Sequence, residues 1–191
     1  AGVVYAPVRE EAWAGVAAPR DGEAPGERGP AAANATAGEP ARGPAAGAFS
    51  GRAWKLTRAE LDAAPVSAGP NDIGTSISVR EYDPRRVSVI ASRTHLNEET
   101  KAFIDRATDG FDEVEIVNVG SSLKLCYVAE GRADLYPRYA PTSEWDTAAG
   151  HAVVRAAGGE IYQAGPRGHT DRPLRYNKEN LLNPWFVVRA W

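Results

Sequence analysis

The sequence predicts an α/β layered domain built on a mixed sheet. Three observations carry this reading. From Val87 onward, short β-branched runs alternate with segments of helical apolar period, the pattern of strand, helix, strand, helix. A chain of 191 residues is long enough to bury one substantial core and short for two. No stretch reaches the roughly eighteen consecutive apolar residues of a membrane span. In a domain of this class, ligands gather at the carboxyl ends of the strands.

The elements follow in order. Residues 2–5 and 12–16 are apolar runs separated by Pro7, Arg9, Glu10 and Glu11, which reads as a hairpin. Residues 18–47 are almost wholly Ala, Gly, Pro, Glu and Arg, with no apolar period and little bulk to offset the entropy of ordering. They read as a disordered surface insertion within a partial domain spanning 1–191. Order resumes at Phe49, with a strand over 52–56 and a short helix or turn over 58–63. A strand over 87–91 leads to a helix that Asn97 caps and that runs through Ala107 with Ala102, Phe103 and Ile104 inward. Residues 113–119 alternate as a strand, 121–130 read as a second helix, and 134–139 as a strand. A third helix over 144–157 ends at Gly158-Gly159, and 160–163 and 186–189 close the sheet.

Composition narrows the function. A formal charge of −3 lacks the basic surplus of a general nucleic-acid binder, so no polymer of that kind is an expected partner. The N-terminus lacks the ordered regions of a signal peptide, and the matching glycosylation pattern Asn34-Ala35-Thr36 has no export signal to support it. Cys126 is the only cysteine, which excludes an intrachain disulfide and a cysteine metal cage; in its apolar helical setting it reads as a packed, inert thiol. There is no methionine, and Ala1 opens on a strand already under way, so Ala1 reads as an internal position of a longer protein; removal of an initiator methionine is the alternative.

Four segments could carry chemistry. Trp145-Asp146-Thr147-Ala148-Ala149-Gly150 opens the third helix. There Asp146 is either an oxygen ligand for a hard ion such as magnesium or the second half of a capping box with Ser143. The small residues behind it allow another backbone or a ligand to come close. Gly120-Ser121-Ser122-Leu123-Lys124 lies where a strand passes into a helix, and suits a phosphate or, equally, a simple serine cap. His95, in Ser92-Arg93-Thr94-His95, projects at the same edge, and Arg138 could join it with a planar fork of donors. Both are also ordinary solvated loop residues in their other reading, which is the one given to His151 and His169. P-loop, nucleophile-elbow, zincin and dinucleotide fingerprints are absent from the sequence.

In order along the chain, these segments, together with Gly2-Val3-Val4-Tyr5-Ala6-Pro7, Val128-Ala129-Glu130-Gly131, Leu135-Tyr136-Pro137-Arg138, Pro173-Leu174 and Leu182-Asn183-Pro184, resemble the C-terminal half of the CysQ-type 3'(2'),5'-bisphosphate nucleotidases of the inositol monophosphatase superfamily. The resemblance implies the layered fold of those sugar phosphatases with its N-terminal part missing. It implies a lithium-sensitive hydrolase, dependent on two or more Mg2+ ions, that removes a phosphate from 3'-phosphoadenosine 5'-phosphate. A cytoplasmic location follows, or one peripheral to the inner membrane. By position, Asp146 would ligate metal and touch substrate, while His95, Ser121, Lys124 and Arg138 would hold the nucleotide. The family's other metal carboxylates belong to a glutamate pair and an Asp-Pro-x-Asp-Gly-Thr segment that the resemblance places upstream of Ala1. Glu10-Glu11 imitates the first from within a hairpin turn. Asn71-Asp72-Ile73-Gly74-Thr75 imitates the second, without its first aspartate and proline and with Gly74 in place of the second aspartate. The chain alone is therefore expected to be inactive. An inositol or sugar monophosphatase, and a non-catalytic nucleotide-binding module, are the competing readings.

Overall fold

A computed structural model describes residues 1–6, 9–16, 51–65, 72–91, 96–119 and 123–191. The predicted insertion at 18–47, together with His95 and Ser121, lies outside them. Ten strands and four helices follow one another within the described residues. The first group is β1 (Gly2–Ala6), β2 (Glu11–Val16), β3 (Arg52–Thr57), α1 (Arg58–Ala63) and β4 (Thr75–Ile77). The second is β5 (Arg86–Ile90), α2 (Glu98–Ala107), β6 (Glu113–Val117), α3 (Leu123–Ala129), β7 (Leu135–Arg138), α4 (Glu144–Ala156), β8 (Glu160–Gly165), β9 (Gly168–Pro173) and β10 (Phe186–Arg189).

The strands form two sheets rather than one. The first four make an antiparallel sheet in the order β1-β2-β3-β4, and the remaining six make the mixed sheet β6-β5-β7-β10-β8-β9. Within the mixed sheet β5 runs parallel to β6 and β7, whereas β10 runs antiparallel to β7 and β8. Helices α3 and α4 lie between the sheets: α4 touches β1, β2, β3 and β8, and α3 touches α4, β7 and β10. Helix α2 packs on the other face, against β7.

The alternation of the strands sorts their side chains between the layers. Ile90, Tyr136, Phe186 and Val188 join Trp13, Leu125, Val128, Val153 and Val154 in the core around α3 and α4. Val87, Val89, Leu135 and Val187 point the other way, to Phe103 and Ile104 of α2. The cap assigned to Asn97 is present, its side chain accepting Thr100 N–H at 3.0 Å while its amide donates to Tyr139 O at 2.7 Å. The Gly158-Gly159 stop also holds: Gly158 adopts φ 102 and Gly159 N–H returns to Val154 O at 2.9 Å.

Strands β4 and β9 were not legible in the sequence. The first is only three residues long, and the second, Gly-His-Thr-Asp-Arg-Pro, has no apolar alternation; it is a strand because its backbone pairs with β8. The expectation that His151 and His169 are solvated is corrected. His151 is buried within α4, and His169 accepts a hydrogen bond from the Arg189 guanidinium at 2.7 Å.

Two glycines let α4 approach the first sheet at backbone distance. A Cβ on Gly15 would lie 2.8 Å from both Ala156 Cβ and Val153 Cα, and one on Gly2 would lie 2.3 Å from Ala149 O. Gly15→Ala should therefore cost about 1–3 kcal/mol through overpacking. Gly165→Ala, where a Cβ meets nothing within 4 Å, should stay within about 0.5 kcal/mol. Urea unfolding midpoints of the two variants check the contrast.

Candidate functional site

Because β5, β6 and β7 are parallel, their carboxyl ends share one edge of the mixed sheet. Helix α3 follows β6 and α4 follows β7, so both helices begin at that edge. They lie side by side there, with Leu125 packed where a Cβ on Gly150 would meet its side chain at 3.0 Å. The first turns of α3 and α4 and the last residue of β7 thereby bring Lys124, Asp146 and Arg138 to one end of the domain.

Lys124 and Arg138 are neighbours. The Lys124 ammonium sits 5.4 Å from the ring centroid of Tyr136, which precedes Arg138 by two residues on β7 and so shares its face of the strand. Burial, and then the positive charge of Arg138, hold the lysine below its ordinary pKa. Arg138 donates to Pro141 O at 3.4 Å, while its Nε is buried with no partner among the described residues. No carboxylate among the described residues pairs with either cation. Two half-buried cations held together without a counterion are an arrangement that an anion stabilises.

Asp146 fulfils the capping expectation. Its Oδ2 accepts Ser143 N–H at 2.7 Å, and its other oxygen has no protein partner among the described residues. The segment after β9 fastens the surrounding turn. Asn183 Nδ2 donates to Ser143 O at 2.8 Å and lies 3.0 Å from Thr147 Oγ1, and Glu144 accepts Asn177 N–H at 2.7 Å and the Lys178 ammonium. Trp145, beside Asp146, is 71 % exposed. Tyr136 and Asn183 were not assigned roles in the sequence. Their only signal is membership of the Leu-Tyr-Pro-Arg and Leu-Asn-Pro segments, because neither the cation–ring contact nor the clamp on α4 has a local spacing.

The donor set does not fit the magnesium cluster of the resemblance. Asp146 supplies one uncommitted oxygen, and among the described residues no three His, Cys, Asp or Glu side chains are grouped to hold an ion. Magnesium wants about six oxygen ligands. Glu11, half of the imitation glutamate pair, is engaged by Lys55 at 2.9 Å. Cys126 is fully buried in α3, and burial foremost, then the charge of Glu130, pushes its thiol up to about 12, which removes a thiolate nucleophile from consideration.

Comparison with known proteins places this geometry. A sequence profile of the inositol monophosphatase family matches residues 1–184. The 3'(2'),5'-bisphosphate nucleotidase CysQ of Escherichia coli strain K12 is 39% identical over 130 residues, covering 68% of this chain and 49% of that protein. An uncharacterized protein in pss 5'region of Rhizobium leguminosarum bv. phaseoli is 71% identical over 76 residues, 37% of this chain and 75% of its own. Among solved structures, CysQ from Bacteroides thetaiotaomicron, described as a bacterial member of the inositol monophosphatase family, superposes with a TM-score of 0.59 at 43% identity. It covers 72% of this chain, which covers 50% of it. The chain thus spans about half the length of the nucleotidases it matches.

The buried thiol gives a direct check on the packing beside Lys124. Cys126 should react with a thiol-specific disulfide reagent at least about a hundredfold more slowly in the native protein than in urea. Rapid native labelling, followed by absorbance, would show that α3 does not bury it.

Proposed function

Since the chain belongs to the inositol monophosphatase family, we propose that it forms the substrate-holding part of a 3'(2'),5'-bisphosphate nucleotidase. The complete protein would release one phosphate from 3'-phosphoadenosine 5'-phosphate with the help of magnesium. The observation that carries the reading is the Lys124–Arg138 pair, two cations without a counterion among the described residues at the strand edge where Asp146 also stands. A nucleotide with two phosphates offers a dianion to such a pair and keeps a second phosphate for the reacting position, whereas an inositol monophosphate has less need of it. The reading gives Lys124 and Arg138 the retained phosphate, with His95 and Ser121 as further substrate contacts. Asp146 takes the reacting end, as substrate contact and metal ligand.

These 191 residues are proposed to bind without turning over, because the described residues group no set of carboxylates that could hold the metal. The ligand is a small phosphorylated nucleotide rather than a nucleic-acid polymer, and the proposed location is the cytoplasm. No helix among the described residues is long and apolar enough to cross a membrane. The lack of a carboxylate cluster among the described residues also favours a second reading, a non-catalytic nucleotide-binding module. Magnesium-dependent phosphate release by the native full-length protein excludes that reading.

Calorimetry in EDTA tests the proposal. 3'-Phosphoadenosine 5'-phosphate should bind, and Lys124→Ala and Arg138→Ala should each weaken it by about tenfold or more, the loss of one charge-assisted contact. Tighter binding of inositol 1-phosphate would overturn the choice of substrate. Sustained phosphate release by the 191-residue chain with magnesium would overturn its inactivity.

A further inference from the structure

Behind the first turn of α4, a line of polar groups crosses the interior, and the anion-holding residues make no use of it. Thr147 follows Asp146 and is 2 % exposed. Its hydroxyl lies 3.3 Å from the Tyr176 hydroxyl, which lies 2.9 Å from His151 Nδ1. His151 Nε2 in turn lies 2.5 Å from Glu160 Oε1, and that oxygen also accepts Ile161 N–H at 2.9 Å. His151 and Glu160 are 4 % and 3 % exposed, and Arg155 stands 3.7 Å from the other carboxylate oxygen. One continuous line of hydrogen bonds therefore joins the start of β8, the middle of α4, the segment after β9 and the turn that presents Asp146.

Positions 147 and 151 are one helical turn apart on the inward face of α4, where Val153 and Val154 show that apolar side chains pack well. Apolar residues there would avoid the desolvation that a buried histidine and glutamate must offset. What the polar line supplies instead is direction. With the Ile161 N–H on Oε1 and Arg155 beside Oε2, Glu160 is placed as a carboxylate, to which Nε2 of His151 is the matching donor. The Tyr176 hydroxyl bridges Nδ1 and Thr147, donating to Thr147 Oγ1. Its ring lies against the imidazole at 5.5 Å between centroids, which fixes both groups. Within its own turn Asp146 bonds Ser143 twice, its Oδ2 accepting the Ser143 N–H and its own N–H donating to Ser143 O at 3.0 Å, and Thr147, Asn183 and Glu144 tie that turn to the rest of the domain.

We propose that Tyr176 and His151 are positioning residues for Asp146, fixing the Thr147 turn so that the carboxylate is offered in one place. The inference rests on the reading of Asp146 as a substrate contact. Tyr176→Phe removes the bridging hydroxyl alone, and amide hydrogen exchange reads the result. The Ser143 and Asp146 amides should exchange about tenfold faster, relative to the Val187 and Val188 amides of the central strand β10. Nucleotide affinity should fall severalfold. Thr147→Ser, which keeps the hydroxyl, should exchange as the wild type does, and Thr147→Val, which loses it, should repeat the effect and serves if Tyr176→Phe does not fold. Unchanged exchange at Ser143, or equal acceleration at β10, overturns the positioning role. Asp146→Asn separates the two readings. Affinity insensitive to it defeats the substrate-contact reading, while affinity that responds to it but not to Tyr176→Phe defeats the positioning.

Discussion

The contact between α4 and the β1–β2 hairpin is made at backbone distance, through Gly2 and Gly15 on the strands and Ala149, Ala152, Val153 and Ala156 on the helix. The same helix reaches β8 on its other side and lies along α3. Its position is therefore set by close packing from both sheets at once, with little freedom to slide. Asp146 rides on its first turn and Gly150, a turn later, seats Leu125 next to Lys124. The geometry of the candidate site thus follows from how tightly one helix is gripped.

Charge distinguishes the other members of the site. Elsewhere in the domain, buried charge is answered: Asp134 by Arg80, Glu130 by Lys55, Glu160 by Arg155 and His151. The Lys124–Arg138 pair departs from this habit among the described residues, and burial first, then the charge of Arg138, lowers the pKa of the lysine. Two like charges that no carboxylate among the described residues answers are the feature on which the proposed anion site rests.

The alternation of β-branched runs and helical periods made the mixed sheet and α2, α3 and α4 legible, because apolar faces repeat at the spacing of the element they form. Caps at Asn97 and the stop at Gly158 were legible for the same local reason. Strand β9 was not, since it is defined by its partner, and His151 was misread because its partners, Glu160 at the start of β8 and Tyr176 after β9, lie outside its helix and follow no helical spacing. Asp146 shows the limit most clearly. Its spacing announced a cap, which is present, but the cations near the same edge belong to a different helix and a strand, and only the parallel register of β5, β6 and β7 brings the three together.

The grip on α4 also has a consequence in time. Trp13 and Ala53 of the first sheet share a core with Val153 and Val154, so the faces of β2 and β3 wait for a helix encoded near the far end of the chain. At synthesis rates of about 5–20 residues per second, that interval lasts about 5–30 seconds. During it a hairpin with an inward tryptophan and two glycines lacks the helix that packs against them. The helix that carries Asp146 is thus also the cover of strands made well before it, and any delay in its arrival lengthens the period in which their inner faces are adhesive.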